Sequence, residues 1–327
     1  MLNSFAQLVG QNQAVELLTQ AIASSRIAPA YLFAGADGVG RSLAARCFIE
    51  QLFCLNLPEF KQQQIHHRLQ LGNHPDLLWI QPTYLHQGNL LSAAETAAAG
   101  VKRKAPPTIR IEQIREITKF LSRFPLEAIR SIVVIEQAEA MAEAAANALL
   151  KTLEEPGQAT LILIAPGTEA LLPTLVSRCQ RIPFSRLDRE SMVEVLQKTG
   201  NEEILSQPQI MAIAQGSPGE AIASWQQLKA ILEAIPPDLL EKLQNLPKSH
   251  RDALELARQI DKNLDTEAQL WLIDYLQHCY WQKFLLGEIE TSPLEKLETT
   301  RRNLLAYAQP RLVWEVTLLS LISTVFA

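Results

Sequence analysis

The chain has 327 residues, of which 47% are hydrophobic and 20% charged, and it carries a formal net charge of −5. A single hydrophobic core stops growing below that length, so two or three domains are expected, and the composition carries no bias toward disorder. The acidic balance argues against a protein that grips nucleic acid by overall charge, because that grip comes from Lys and Arg neutralising phosphates. Any DNA contact must be local or shared with partners.

The first elements alternate in character. Apolar residues at helical spacing (Val15, Leu18, Ala21, Ile22) predict a helix over 13–22. Ala30 to Ala34 is a short apolar run stopped by Gly35, a buried strand, and a helix is expected from Ser42 to Leu55. Asp76 to Ile80 predicts a second strand, ended by Pro82. Residues 84–107 change to small and polar types, then Lys102-Arg103-Lys104 and a Pro pair, and predict a mobile surface insertion. The basic run reads either as a DNA or acidic-partner contact or as an ordinary solvated loop. A helix over 111–124, a strand over 131–135, an Ala-rich helix closed by Glu155-Pro156 and a strand over 160–165 follow. This alternation favours a parallel sheet with helices on both faces. From about Leu187 helical periodicity takes over, and Trp271, Tyr275, Cys279 and Tyr280 fall at a spacing that makes core or interface.

Between the first strand and its helix lies Gly35-Ala36-Asp37-Gly38-Val39-Gly40-Arg41-Ser42, the context that makes a phosphate-loop match credible. Gly35, Gly38 and Gly40 let backbone N–H groups turn toward phosphates, the helix N-terminus adds positive potential, and Ser42 is placed to hold Mg²⁺. The motif calls for Lys where this chain has Arg41, whose planar fork does not replace a compact ammonium. Two readings stay open: a degenerate nucleotide site, or a glycine-rich turn that packs strand on helix. The strand over 131–135 ends in Glu136-Gln137. Glu136 has the reach to meet a metal, whereas Gln137 orients a water without accepting its proton.

Longer blocks then carry a resemblance. Leu8-Val9-Gly10-Gln11, Ala30-Tyr31-Leu32-Phe33, the segment from Ala145 to Pro156, and Leu172 to Cys179 resemble the signature blocks of the AAA+ clamp-loader subunits, a family in which the loader opens a sliding clamp at primed DNA. Gly216-Ser217-Pro218-Gly219 resembles the start of that family's sensor-2 helix. The resemblance implies an α/β AAA+ P-loop domain over 1–183, a small helical lid domain over 184–228 and an all-helical oligomerisation (collar) domain over 229–327. It adds Val9 to Gly35, Gly38, Gly40, Arg41, Ser42 and Glu136 as the nucleotide-site positions. Active members carry Lys in the loop, Asp-Glu at the strand end, a polar sensor after the next strand and an Arg after Ser-Pro-Gly. This chain has Arg41, Glu136-Gln137, Ala165 and Glu220 instead. What survives is Ser177-Arg178-Cys179, whose Arg reaches a neighbouring subunit's ATP in the family.

The expectation is therefore a non-hydrolysing subunit of the delta-prime type within a DNA polymerase III holoenzyme, acting through Arg178 in trans. It requires no cofactor, with ATP/Mg left open. Its implied partners are gamma/tau-type ATPases, delta, the sliding clamp, and primer-template DNA met through the assembled complex. The alternative is an active gamma/tau-like ATPase working with Arg41 and Gln137. Lys151 is expected either to face DNA in the ring or to be a plain surface lysine.

Four cysteines, Cys47, Cys54, Cys179 and Cys279, lack paired spacing and predict free thiols. Members of the family often carry a four-Cys zinc module, of which only Cys54 remains, followed by His66, His67 and His74. These histidines are expected to be solvent-exposed, and no metal site is expected. The apolar stretch from Leu318 to Ala327 is interrupted by Ser320, Ser323 and Thr324 and falls short of the ~20 residues of a bilayer span. Met1 to Phe5 lacks the basic start and apolar run of a secretory signal. A cytoplasmic location without a membrane partner is expected.

Overall fold

The computed structural model describes residues 4–92, 95–96, 106–155, 157–247, 249–289 and 293–322. The chain divides into two units, 1–191 and 192–327. The strands of the first unit are β1 (Ala30–Ala34), β2 (Leu77–Ile80), β3 (Tyr84–His86), β4 (Asn89–Leu91), β5 (Ser131–Ile135), β6 (Ala159–Ala165) and β7 (Gln180–Pro183). Five of them form one sheet in the order β2-β5-β6-β1-β7 with every neighbouring pair parallel. β1, β5 and β6 are buried at every residue, which is why they run apolar without alternation: a central parallel strand is covered on both faces. The flanking strands β2 and β7 are only partly covered.

The helices of this unit are α1 (Asn12–Ala23), α2 (Arg41–Phe53), α3 (Glu59–Gln70), α4 (Ile111–Leu121), α5 (Glu143–Glu154) and the single turn α6 (Pro173–Val176). Ile114 and Ile117 of α4 and Ala145, Leu149 and Leu153 of α5 pack with Leu32, Val133, Ile135, Leu161 and Leu163 of the central strands. Each such Leu, Ile or Val contributes about 1.5–3 kcal/mol by leaving water.

Three local expectations are corrected. β2 begins at Leu77, one residue later than expected, although the Asp76 carbonyl still accepts the Ile132 N–H at 2.8 Å; the Asp76 carboxylate accepts the N–H groups of Leu126, Glu127 and Ala128 at 2.7 Å each. α4 stops at Leu121, where the Ser122 N–H closes onto the Thr118 carbonyl and its hydroxyl onto Lys119. The segment read as a mobile surface insertion opens as an antiparallel hairpin of β3 and β4. Its turn residues Gln87 and Gly88 both have positive φ (50° and 86°), the two-residue turn whose twist matches paired strands. Lys102-Arg103-Lys104 lies outside the described residues.

The second unit is helical: α7 (Arg189–Lys198, which begins in the first unit), α8 (Pro208–Ala214), α9 (Pro218–Ala234), α10 (Leu239–Gln244), α11 (His250–Asn263), α12 (Thr266–Leu285), α13 (Leu294–Leu305) and α14 (Pro310–Ile322). α9 runs unbroken past Leu228, so the boundary expected at 228/229 falls inside a helix. Its core includes Tyr275, Cys279, Tyr280 and Trp314, with polar atoms paired: Trp314 Nε1 donates to Gln269 Oε1 at 2.9 Å, and the Tyr280 hydroxyl to the Leu243 carbonyl. Trp271 stacks on Tyr275, ring centroids 5.4 Å apart. Among the described residues no helix is long and apolar enough to cross a membrane.

Candidate functional site

Parallel α/β sheets bind ligands outside the carboxyl ends of their strands. The loop 35–40 leaves β1 at that edge. Gly35 donates its N–H to the Ala165 carbonyl at 3.3 Å, and a Cβ on it would lie 2.4 Å from the Phe184 carbonyl oxygen, so only glycine lets β1 and the segment after β7 close together. Gly40, at φ 101°, stands immediately before α2 in a backbone conformation that favours glycine. Gln11 holds this loop from behind. Its Nε2 donates to the Val39 carbonyl at 3.1 Å and the Ser185 carbonyl at 2.7 Å, and its Oε1 accepts from the Ser185 N–H at 3.1 Å. Val9, half-buried, and Gly38, at φ 71°, complete the predicted set.

Arg41, the first residue of α2, is 7% exposed and pairs with Asp37 of the same loop. Its Nη1 is buried with no hydrogen-bond partner. Glu139 lies within electrostatic range of both, and its carboxyl is pushed up, first by desolvation and then by the Asp37 charge. A buried guanidinium donor without an acceptor, at a helix N-terminus within a glycine loop, fits an anion such as a phosphate group.

The metal position does not fit in the same way. The Ser42 hydroxyl donates to Glu136 Oε1, while Trp79 Nε1 at 2.9 Å and Gln81 Nε2 at 2.8 Å donate to Oε2. Arg46 lies over the Trp79 ring at 4.4 Å from its centroid. Burial alone would raise the Glu136 carboxyl, and the donors Ser42, Trp79 and Gln81 with the Arg46 charge outweigh it, holding the group below its usual range. Both oxygens a cation would need are thus engaged by neutral donors. Beyond them, Gln137 is exposed at φ 49° and Ala165, fully buried, has no polar side-chain atom.

Arg178 stands at the other edge. β7 pairs with β1 from Gln180 beside Tyr31 to Pro183 beside Ala34, so residue 178 precedes the amino end of β7 while the phosphate loop follows the carboxyl end of β1. At roughly 3.3 Å per residue the two are separated by at least about 13 Å along the strands. The guanidinium is exposed, donating to Glu154 Oε1 at 2.8 Å and the Thr174 carbonyl at 3.0 Å. Ser177 caps the α6 turn through the Thr174 carbonyl at 3.1 Å. Cys179 is half-buried, and burial pushes its thiol up to about 11, as it does for Cys47, Cys54 and Cys279.

The histidines do not converge. His66 bonds Glu50 at 2.7 Å, whereas His74, expected at the surface, is buried against Phe53 with ring centroids 4.4 Å apart. Among the described residues no three His, Cys, Asp or Glu side chains group as metal ligands. Lys151 is exposed on α5. In the second unit Ser217 caps α9 by accepting the Glu220 N–H at 3.2 Å, which places the Glu220 carboxylate in a first helical turn where negative charge is favoured. Gln11, Trp79 and Gln81 were not singled out from sequence as site residues. Only Gln11, within a signature block, carried a signal.

Comparison with known families decides the lineage. The model described as "DNA polymerase III, delta subunit" matches residues 10–188, and "Cyanobacterial DNA polymerase III delta prime, C-terminal domain" matches 190–321. The chain belongs to the DNA polymerase III delta-prime family. The family's "DNA polymerase III subunit delta'" from Bacillus subtilis (strain 168) is 32% identical over 189 residues, 57% of this chain and 51% of that protein. That from Pseudomonas aeruginosa is 31% identical over 202 residues, 58% of this chain and 54% of that protein. The match thus spans about half the length of these delta-prime relatives. A DNA polymerase III gamma subunit-related protein from Thermotoga maritima shares the fold of this delta-prime family chain, with a TM-score of 0.53 at 18% identity over 95% of this chain and 99% of that one.

Proposed function

We propose that this chain is a non-hydrolysing subunit of the DNA polymerase III clamp loader that supplies Arg178 to a nucleotide bound by a neighbouring subunit. The observation that carries this reading is the placement of Arg178 at the amino edge of the sheet, exposed and out of reach of the chain's own phosphate loop. An Arg fork stays charged and bridges phosphate oxygens as charge develops in the transition state. In the assembled loader the guanidinium exchanges Glu154 for that phosphate. The chain's own loop turns nothing over, because Gln137 provides no base, Ala165 no polar sensor, and Glu220 stands at the sequence position where active relatives place an Arg. The partners are then gamma/tau-type ATPases and delta, with the sliding clamp and primed DNA met by the complex. The helical segment after the sheet domain serves as lid and, toward its end, as the oligomerisation segment, with the division outside the helix Pro218–Ala234.

The test is Arg178→Ala in a reconstituted loader, with folding checked by thermal melt and assembly by gel filtration. Clamp loading and DNA-stimulated ATPase are expected to fall while both controls stay unchanged. Wild-type rates in an intact assembly would sink the assignment.

A further inference from the structure

We infer that the groove between α10, α11 and the end of α12 docks a peptide segment of a partner protein in which basic side chains alternate with apolar ones. The groove lies wholly in the second unit and its role is independent of that given to Arg178. Its volume is about 820 Å³, the size of pockets that bury a drug-sized ligand, and so takes the side chains of a few residues. Leu246, Pro247, Leu256 and Ile289 line it and are buried or half-buried, so they form its floor. Asp238, Glu241, Asp252, Glu255 and Glu288 line it and are exposed, so they form its rim. Positions 238 and 241, like 252 and 255, have the spacing that brings side chains together on one helix face.

Against these five carboxylates the described lining sets two ammoniums, Lys242 and Lys283, an excess of three negative charges. Lys242 pairs with Asp238, and that bond, followed by the Asp252 and Glu255 charges, raises its ammonium above the ordinary range. Carboxylates of both helices thus converge on one cation. Lys283 donates instead to the neutral Asn245 side chain at 2.7 Å. Helix starts favour the negative charge of Asp238, Glu241 and Asp252 without any ligand. Glu288 has no such reason: its N–H closes onto the Lys283 carbonyl at 2.9 Å at the carboxyl end of α12, where the dipole disfavours a carboxylate. A cationic partner offsets that cost. The negative excess repels nucleic acid and anionic lipid, and among the described residues no acidic side chains group as metal ligands. A bare polyamine matches the rim but leaves the floor in contact with water, whereas apolar side chains set between basic ones match both.

The full-length protein is titrated calorimetrically with a short synthetic peptide alternating Lys and Leu, and separately with a Lys-Ser peptide and with spermine as probes of charge alone. The Lys-Leu peptide is expected to bind at least about tenfold tighter than either charge-only probe. Glu255→Gln combined with Glu288→Gln is expected to weaken it about fivefold or more, the scale of losing two exposed charge pairs. Ile289→Ser is expected to weaken it about threefold or more, through the floor. The two carboxylates are exposed and Ile289 is half-buried, and thermal melts report the folding of both variants. The inference is overturned if either variant loses less than its factor. It is equally overturned if spermine or the Lys-Ser peptide binds within tenfold of the Lys-Leu peptide, which would leave a groove that takes small cations by charge alone.

Discussion

The two edges of one sheet differ in how their polar groups are held. At the carboxyl edge most polar groups are held by one another: Arg41 pairs with Asp37 through one terminal nitrogen, Ser42 with Glu136, and Glu136 with Trp79 and Gln81. At the amino edge Arg178 is exposed and bonded to Glu154 and the Thr174 carbonyl, contacts that water can replace. The loop 124–130 leads into β5 at that same edge. A parallel sheet has separate ends, so the polar groups at one end can be paired internally while a side chain at the other stays open to solvent.

The largest expected effect tests that contrast directly. Removing Arg178 should slow turnover at the adjacent site by about 10³ to 10⁵, or roughly 4 to 7 kcal/mol of barrier. Gln137→Ala should change whole-complex turnover by less than about twofold, because it removes no working base. Steady-state ATPase of reconstituted loaders carrying each variant compares the two edges, and equal losses would erase the distinction.

Next in size is the scaffold of the amino edge. Asp76→Ala strands three backbone N–H groups and should cost about 3 kcal/mol, read by chemical denaturation of the first unit's transition. Burial alone would raise the Asp76 carboxyl, but the N–H donors of Leu126, Ala128 and Glu127 and the neighbouring His74 bring it below its usual range. Its stabilisation is therefore complete above the unfolded carboxylate value, about pH 4, and is lost as pH falls through the lower folded value. Asp76→Asn should flatten that acid-side slope in denaturation curves collected from pH 5 downward.

A smaller effect is expected in the second unit, where Leu286 of the segment after α12 and Val316 of α14 are exposed apolar side chains. Leu286→Asp and Val316→Asp should leave the melting temperature of the free chain nearly unchanged, since surface substitutions stay within about 0.5 kcal/mol. Co-elution with partner subunits should nevertheless drop, and full co-elution would place the assembly surface elsewhere. Smallest of all is Glu154→Gln, which releases Arg178 from an exposed ion pair. It should shift stability by under about 1 kcal/mol and leave loader turnover at or slightly above wild type, a rate measurement that would expose any hidden structural role.

The legible part of the fold was the part written in runs. β1, β5 and β6 could be read because a strand covered on both faces is apolar at consecutive positions, and the phosphate loop because glycines fall between one such strand and a helix. α3 escaped because none of its residues is buried, so it has no apolar periodicity. The β3–β4 hairpin turns on Gln87-Gly88, which lacks the Asn or Asp that usually marks such a turn. At the site, the residues that depart from the motif were identifiable by type, but their partners were not. That Glu136 is held by Trp79 and Gln81, 57 and 55 positions away, follows only from β2 lying beside β5.

The Asp76 anchor has one more consequence, for how this molecule meets its surroundings. Phe124, Leu126 and Ile129 are 81%, 67% and 63% exposed on a loop whose backbone that carboxylate already holds. The conformational freedom of the pinned backbone is surrendered when the chain folds, so covering these side chains costs little further ordering there. Their contribution to any association grows with temperature up from the cold and in sulfate, and fades on cooling, since apolar attraction follows the state of the water around it.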